Sequence, residues 1–261
     1  MSSFDTLVAV VTGGGSGIGA AVTAAFRARG ARVAVLDLEP GAPADGILPV
    51  VADVADRSSL ERAAELVATE LGGADILVNN AGISAVGTVE ANDDAEWQRV
   101  LDVNVVGIAR TTAAFLPYLR RSPHPAIVNT SSIAALAGLP QRVLYSASKG
   151  AVHAMTLALA TDLVGEGIRV NCVAPGTVDT PWVARLLART DDPAGEKERL
   201  AARQPTGRLV TAAEVAEAVA YLADPASAAT TGMSLAVDGG MSGLRLPARG
   251  HIQGAGVSSS R

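Results

Sequence analysis

Tyr145 and Lys149 stand four residues apart, and Ser132 lies thirteen residues before the tyrosine. On a helix, positions i and i+4 share a face, so an ammonium at 149 sits beside a phenol at 145. A free phenol has a pKa near 10, and bringing it to 7 takes roughly 4 kcal/mol of preferential stabilisation of the phenolate. A neighbouring cation in a partly dry site supplies stabilisation of that kind. A serine hydroxyl can then hold the oxygen whose proton the phenolate removes. The three side chains together suit proton abstraction from an alcohol, the partner step of hydride transfer. The Tyr–Lys spacing alone is common in amphipathic helices, so its meaning depends on what the other elements bring to the same place.

Those elements alternate along the chain. Leu7–Val11 is a short, β-branched strand pattern ending at Thr12-Gly13-Gly14-Gly15-Ser16-Gly17-Ile18-Gly19, and a helical pattern follows from Ala20 to Arg29. Strand, glycine turn and helix aim backbone N–H groups at a phosphate, and the glycines let the backbone approach it without a Cβ in the way. A P-loop is excluded, because Ala20-Ala21 occupy the positions where Lys and Ser/Thr are needed. The second strand, Ala31–Asp37, ends in an acid eighteen residues past Gly19. Such an acid suits the two ribose hydroxyls of adenosine and repels a 2′-phosphate. Ser16 and Leu38 carry no charge to offset it, so the expected cofactor is NAD rather than NADP.

A third strand, Ile47–Ala52, ends at Asp53-Val54, and a helix follows over Arg57–Leu71. The fourth strand, Asp75–Val78, runs into Asn79-Asn80-Ala81-Gly82. A helical stretch from Ala95 to Arg121 carries Asn104 in its middle, a poor helix-interior residue. If buried, that amide needs partners, which makes it a candidate functional group. Pro125–Thr130 reads as the fifth strand and delivers Ser131-Ser132. The Tyr145 helix runs to about Val164 and is rich in Ala, Ser and Gly, so it can pack closely on another helix, within the subunit or from a second one. The sixth strand, Ile168–Val173, leads to Pro175-Gly176-Thr177-Val178-Asp179-Thr180. Trp182–Arg203 is charged and helix-prone, with a break at Asp191-Asp192-Pro193. It reads as an insertion over the sheet, a substrate lid spanning about 181–207. A helix, Ala212–Ala223, and a last strand, Ser234–Val237, follow. One domain is expected over 1–249, with a mobile tail over 250–261.

Alternating strands and helices imply an α/β fold, a doubly wound parallel sheet covered on both faces. Ligands in such sheets bind outside the C-terminal strand ends. The glycine turn, Asp37, Asn79, Ser132 and the Pro175 loop each follow a strand and therefore gather at one edge, where the Tyr145 helix begins. Composition agrees with a large, aromatic-poor core: 261 residues, 49% hydrophobic, 18% charged and 3% aromatic. The net charge of −5 with no basic run argues against nucleic acid. Cys172 is the only cysteine, and His124, His153 and His251 lack ligand spacing, so no metal is expected. No signal sequence is evident and no run reaches the ~18 apolar residues of a membrane span, so the expected location is the cytoplasm.

Taken together, Thr12-Gly13-x-x-x-Gly17-x-Gly19, Asp53-Val54, Asn79-Asn80-Ala81-Gly82, Asn104, Ser132, Tyr145-x-x-x-Lys149 and Pro175-Gly176 resemble the short-chain dehydrogenase/reductase family from about Phe4 to Gly243. The resemblance implies a seven-stranded Rossmann-like sheet and a homotetramer or dimer. It implies that Tyr145 is the acid/base and that Ser132 positions the substrate oxygen. Lys149 would lower the tyrosine pKa and hold the nicotinamide ribose, and Asn104 would hold a relay water. The loop after the sixth strand would touch the nicotinamide through Gly176, Val178 and Thr180. Ser16, Ile18, Asp53, Val54, Asn80, Ala81, Gly82 and Pro175 complete the expected cofactor contacts, with Arg142 and Trp182 expected at the substrate. Arg142 and the Pro175–Pro181 run are similar to the cytosolic 3-hydroxybutyrate dehydrogenase branch. Val183–Leu209 is closer to bacterial dehydrogenases of L-fucose or sugar acids. Both point to a small, polar alcohol. A 3-oxoacyl carrier-protein reductase and a catalytically silent NAD-binding regulator are the alternatives, the second opposed by the intact Asn104, Ser132, Tyr145 and Lys149.

Overall fold

The computed structural model describes residues 4–188 and 190–246. In chain order its elements are β1 (Val8–Thr12), α1 (Gly17–Ala28), β2 (Arg32–Asp37), β3 (Ile47–Val51), α2 (Arg57–Leu71), β4 (Ile76–Asn79) and α3 (Asp94–Leu101). After a single π turn at Asp102–Val106 come α4 (Gly107–Leu119), β5 (Ala126–Thr130), α5 (Val143–Leu163), β6 (Arg169–Pro175) and β7 (Val178–Asp179). The chain continues through α6 (Pro181–Leu187), α7 (Pro193–Ala202), β8 (Val210–Thr211), α8 (Ala212–Ala223) and β9 (Ser234–Val237).

Seven strands form one sheet in the order β3-β2-β1-β4-β5-β6-β9, and every pair is parallel. This is the expected doubly wound α/β sheet. Successive strand residues face opposite sides, so an uninterrupted apolar strand feeds two cores. In β1, Ala9 and Val11 join Val22 and Phe26 of α1 and Val215, Val219 and Leu222 of α8. Val8 and Val10 join Leu60 and Val67 of α2, Phe115 and Leu119 of α4, and Leu163 of α5. The strand order reverses between β1 and β4, so the crevice opens there. At that junction the Thr12 hydroxyl accepts from the N–H groups of Asn80 (3.0 Å) and Ala81 (3.1 Å). The Asn80 side-chain amide returns bonds of 3.1 Å to the carbonyls of Thr12 and Gly13. Gly13 (φ +63°) passes so near that a Cβ would lie 2.9 Å from Ala81 Cα.

Three sequence expectations need correction. Helix α1 begins at Gly17 rather than Ala20, because Gly17 and Gly19 form its first turn. The stretch expected as one helix over Ala95–Arg121 is broken by the π turn, which holds the buried Asn104 and leads into Gly107. There the backbone closes on Val54, 3.2 Å from where a Gly107 Cβ would stand. The combined run Asp94–Leu119, 26 residues long, is also apolar enough by length and composition to cross a membrane. Its interior partners explain that composition: Phe115 and Leu119 lie in the core, and Asn104, Thr111 and Thr112 are buried polar groups.

The expected insertion is α6 and α7, which share a small cluster of their own, Val183, Leu187, Leu200 and Leu209. It is fastened by the parallel ribbon β7–β8 and by Lys197–Asp179 at 3.3 Å. The expected tail, 250–261, lies outside the described residues.

At the opposite end of the sheet, Arg169 joins β6 to the end of α8. It donates to the carbonyls of Leu222 (2.6 Å), Ala223 (3.1 Å), Asp224 (3.0 Å) and Thr230 (3.3 Å). Helix C-terminal carbonyls have no intrahelical partner, and charge-assisted bonds to them count for more than neutral ones. Arg169→Met, which keeps the apolar stem, should lower unfolding stability by about 3 kcal/mol. Urea unfolding checks this, and a loss below about 1 kcal/mol would show that solvent replaces the cap.

Candidate active site

Tyr145 lies in the first turn of α5, its ring packed beside Ile83, Ala85, Trp97, Val100 and Leu144. Ser132 ends the turn after β5. Its Oγ accepts from the N–H of Ala134 (3.1 Å) and is hydrogen-bonded to the Tyr145 phenol. Ser131 turns the other way and donates to the Lys149 carbonyl at 3.0 Å, which ties β5 to α5. Lys149 is buried, 4% exposed, and its Nζ donates to the Thr130 carbonyl at 2.8 Å. The same Nζ stands 5.9 Å from the centre of the Tyr145 ring.

Asn104 does not line the cleft but stands directly behind it. Its Oδ1 accepts from Ile83 N–H, and its Nδ2 donates to the Ile83 carbonyl, both at 2.8 Å. A further Nδ2 bond of 3.1 Å reaches Ser148 Oγ, which donates to the Tyr145 carbonyl at 2.8 Å. The amide that makes a poor helix interior is thus supplied with partners by the π turn. Gly82 keeps open the space between Asn104 and Lys149: a Cβ there would lie 3.2 Å from Asn104 Oδ1 and 3.4 Å from Lys149 Nζ.

Burial opposes charge on both titrating groups. It pushes the Tyr145 phenol up, against the downward pull of the Ser132 bond and the Arg142 charge. It pushes Lys149 down to about 8. The ammonium is directed to Thr130, and the nearby charge acting on the phenol is that of Arg142.

A cleft of about 510 Å³ runs along the C-terminal strand ends. Gly13, Ser16, Gly17, Ile18, Asp37, Asp53, Val54, Asn80, Ala81, Gly82, Pro175, Gly176, Val178 and Thr180 all line it, as do Ser132, Arg142, Tyr145, Lys149 and Trp182. Gly19 does not; it packs beneath the Gly13 carbonyl and the Asn80 amide, where no Cβ fits. Asp37 is held by N–H groups of Gly15 (3.0 Å) and Glu39 (3.2 Å). The first turn of α1 has no acidic residue, and Ser16 makes no side-chain cap, which leaves the positive helix end open to an anion. A glycine cradle, an open helix N-terminus and an acid at the end of β2 fit a dinucleotide.

At the other end of the cleft Arg142 caps α5. It donates from one Nη to Ser84 Oγ (3.1 Å) and the Ala85 carbonyl (2.9 Å). Gln141, with φ +56°, turns the chain so that its carbonyl meets Gly87 N–H at 2.9 Å. Burial lowers the Arg142 pKa; the charge of Tyr145 raises it and the charge of Arg203 lowers it further. Arg203 and Arg185 both line the cleft and were missed in the sequence, where the lid reads only as charged and helix-prone. Their position after Thr180, within a lid following the sixth strand, was the available signal.

Residues 13–242 match the family model described as enoyl-(acyl carrier protein) reductase. Among curated proteins, cis-4-hydroxycyclohexanecarboxylate dehydrogenase of Sinomonas cyclohexanicum is 40% identical, over 91% of this chain and 97% of that protein. The solved aldohexose dehydrogenase of Thermoplasma acidophilum superposes with TM-score 0.89 at 32% identity, covering 94% of this chain and 99% of that one. The 3-ketoacyl-(acyl-carrier-protein) reductase of Brucella melitensis, solved with NADH, gives TM-score 0.84 at 32% identity, covering 92% and 99%.

Two outcomes follow from the geometry. Tyr145→Phe should cut alcohol oxidation by about 10²- to 10⁴-fold while dinucleotide binding persists; near-normal turnover would remove Tyr145 from the proton transfer. Because burial raises the phenol pKa, oxidation should climb with pH through the alkaline range. Arg142→Ala removes a cation that favours phenolate, so the climb should move to higher pH. A profile that stays in place would show that the Arg142 charge is not felt at Tyr145.

Proposed function

The chain belongs to the short-chain dehydrogenase/reductase family, oxidoreductases of secondary alcohols and ketones, and on that premise we propose an NAD-dependent dehydrogenase of a small hydroxy acid or sugar acid. The observation that carries the substrate class is the set of guanidinium groups, Arg142, Arg185 and Arg203, lining the cleft that holds Ser132 and Tyr145. Two cations that disfavour one another are relieved by an anion between them, and a carboxylate accepts from guanidinium in a planar fork that orients it. The relative that acts on a hydroxycyclohexanecarboxylate supports this reading. A neutral sugar, supported by the aldohexose dehydrogenase likeness, is the second reading. A carrier-protein reductase is the third, supported by the Brucella structure.

When bound, the nicotinamide accepts or returns the hydride. The chain's own residues do the rest. Ser132 Oγ, its lone pair engaged by Ala134 N–H, presents its hydrogen to the substrate oxygen. Tyr145 takes that oxygen's proton in oxidation and returns it in reduction. Gly82 packs against both Lys149 and Asn104, and a water held by Asn104 would carry the proton inward from Tyr145. Arg142 and Arg203 hold the carboxylate so that the carbinol carbon faces the cofactor.

Asp37 supports NAD. Its carboxylate is pinned at the end of β2, and the lining arginines come from the α5 loop and the lid, away from that strand end. Exposed Val106, Leu157 and Val164 along the α4–α5 side, and Met233 and Tyr221 beside edge strand β9, support a homotetramer or dimer.

Comparing kcat/KM for NAD and NADP tests the cofactor, and equal or better use of NADP would overturn the assignment. A substrate screen at alkaline pH, spanning hydroxy acids, sugar acids, neutral sugars and acyl thioesters, tests the class. Arg142→Ala should raise KM for carboxylates by about 10- to 150-fold, the equivalent of one lost charge-assisted bond, and leave neutral sugars little changed. An unchanged KM for both classes would remove the hydroxy-acid reading.

A further inference from the structure

We propose that Gln204 is a positioning residue, which fixes the backbone of Gly176 and Thr177 and ties that backbone to the lid. The inference rests on the nicotinamide reading above. Gln204 follows α7 directly, next to the cleft-lining Arg203, and is 1% exposed. Its Nε2 donates to the Arg208 carbonyl at 2.7 Å and makes a longer contact of 3.5 Å with the Thr177 carbonyl. Two carbonyl partners establish which end of the amide is Nε2. The Oε1 therefore faces Gly176, and a Cβ on Gly176 would lie 2.6 Å from it. The same Cβ would stand 2.9 Å from Asp238 Cα, so Gln204 and the Asp238 backbone together crowd that face of Gly176.

The remaining anchors of this loop come from β9 of the sheet and from the β8 strand of the ribbon. Gly176 N–H donates to the Val237 carbonyl at 3.0 Å, and the Thr177 carbonyl accepts from Val210 N–H at 3.0 Å. Gln204 is the anchor that comes from the lid. Its Oε1 is buried and accepts no hydrogen bond from any described residue. An apolar side chain of the same length would fill the space without that orphaned acceptor. An amide kept there at such cost is explained by what its donor holds: the carbonyls on either side of the lid's return, at Thr177 and Arg208. Pro175, Gly176, Thr177 and Val178 all line the cleft. The neighbours Arg203 and Gln204 thus reach two places from one turn of chain, the substrate end of the cleft and the underside of the loop.

The test compares NADH with ADP-ribose, which lacks the nicotinamide. Wild type and Gln204→Met, of similar length without the amide, are titrated with both nucleotides and assayed for turnover with deuterated and ordinary alcohol. Because the site is buried, Gln204→Leu is measured alongside; it loses the amide with a different packing. Either variant should bind ADP-ribose within about twofold of wild type, bind NADH about tenfold more weakly and turn over about tenfold more slowly. The isotope effect should grow as hydride transfer becomes limiting. NADH and ADP-ribose weakened alike, or neither weakened, would overturn the positioning role. A wild-type protein that binds neither nucleotide would overturn the cofactor reading itself, and this proposal with it.

Discussion

Parallel pairing is the constraint on which the molecule depends. A parallel strand cannot turn back by a hairpin; it must cross over through a helix and re-enter at the same edge. Every segment leaving the sheet at its C-terminal edge therefore emerges beside the others, however far apart in sequence. Thr12, Asp37, Asn79, Thr130 and Pro175 each end a strand or stand at its last residue in this way. The reversal of strand order between β1 and β4 opens the crevice, and the bonds between Thr12 and Asn80 close its floor. Nothing in that floor is a catalytic group, yet it sets where the dinucleotide cradle and the catalytic helix stand relative to each other.

Chemistry is added by burying charge beside that floor. Lys149 lies in a dry site with its ammonium on a backbone carbonyl, and Tyr145 is held close by among apolar side chains. Burial disfavours the charged form of each, raising one pKa and lowering the other, so their ordinary values of about 10 and 10.4 are drawn off in opposite directions. So displaced, the pair favours neutral phenol and neutral amine over phenolate and ammonium. The Ser132 bond and the Arg142 charge then favour phenolate over phenol.

Most of this was legible in the sequence because strands and glycine turns carry local signals. The seven strands were placed within a few residues from apolar runs alone, and Arg57–Leu71, Ala212–Ala223 and Ser234–Val237 match their expected limits. What escaped depends on contacts distant in the chain. Asn104 was singled out as a misfit in a helix, but the π turn that accommodates it is stabilised by the Ile83 backbone and Ser148, which no local pattern reveals. Gly19 reads as a cofactor glycine, yet its lack of a side chain serves the Gly13 carbonyl beneath the turn. Arg185 and Arg203 look like solvated charges until α6 and α7 fold over the cleft.

That last failure has a physical cause that also bears on function. Ser132 follows β5, and Tyr145 and Lys149 lie on α5, elements anchored in the main cores. The lid has a small core of its own and is fastened to the sheet by a two-residue ribbon and a few side chains. Sequence patterns are strong where burial is deep and weak where a few residues pack at the surface, so the catalytic half of the site is easier to read than the substrate half. Residues of α6 and α7 can be exchanged at the cost of their own small cluster, whereas a change near Ser132 or Lys149 reaches the Thr130 and Ser131 backbone that joins β5 to α5. Arg142 stands on the boundary, at the N-terminus of α5 and within reach of the charge of the lid's Arg203.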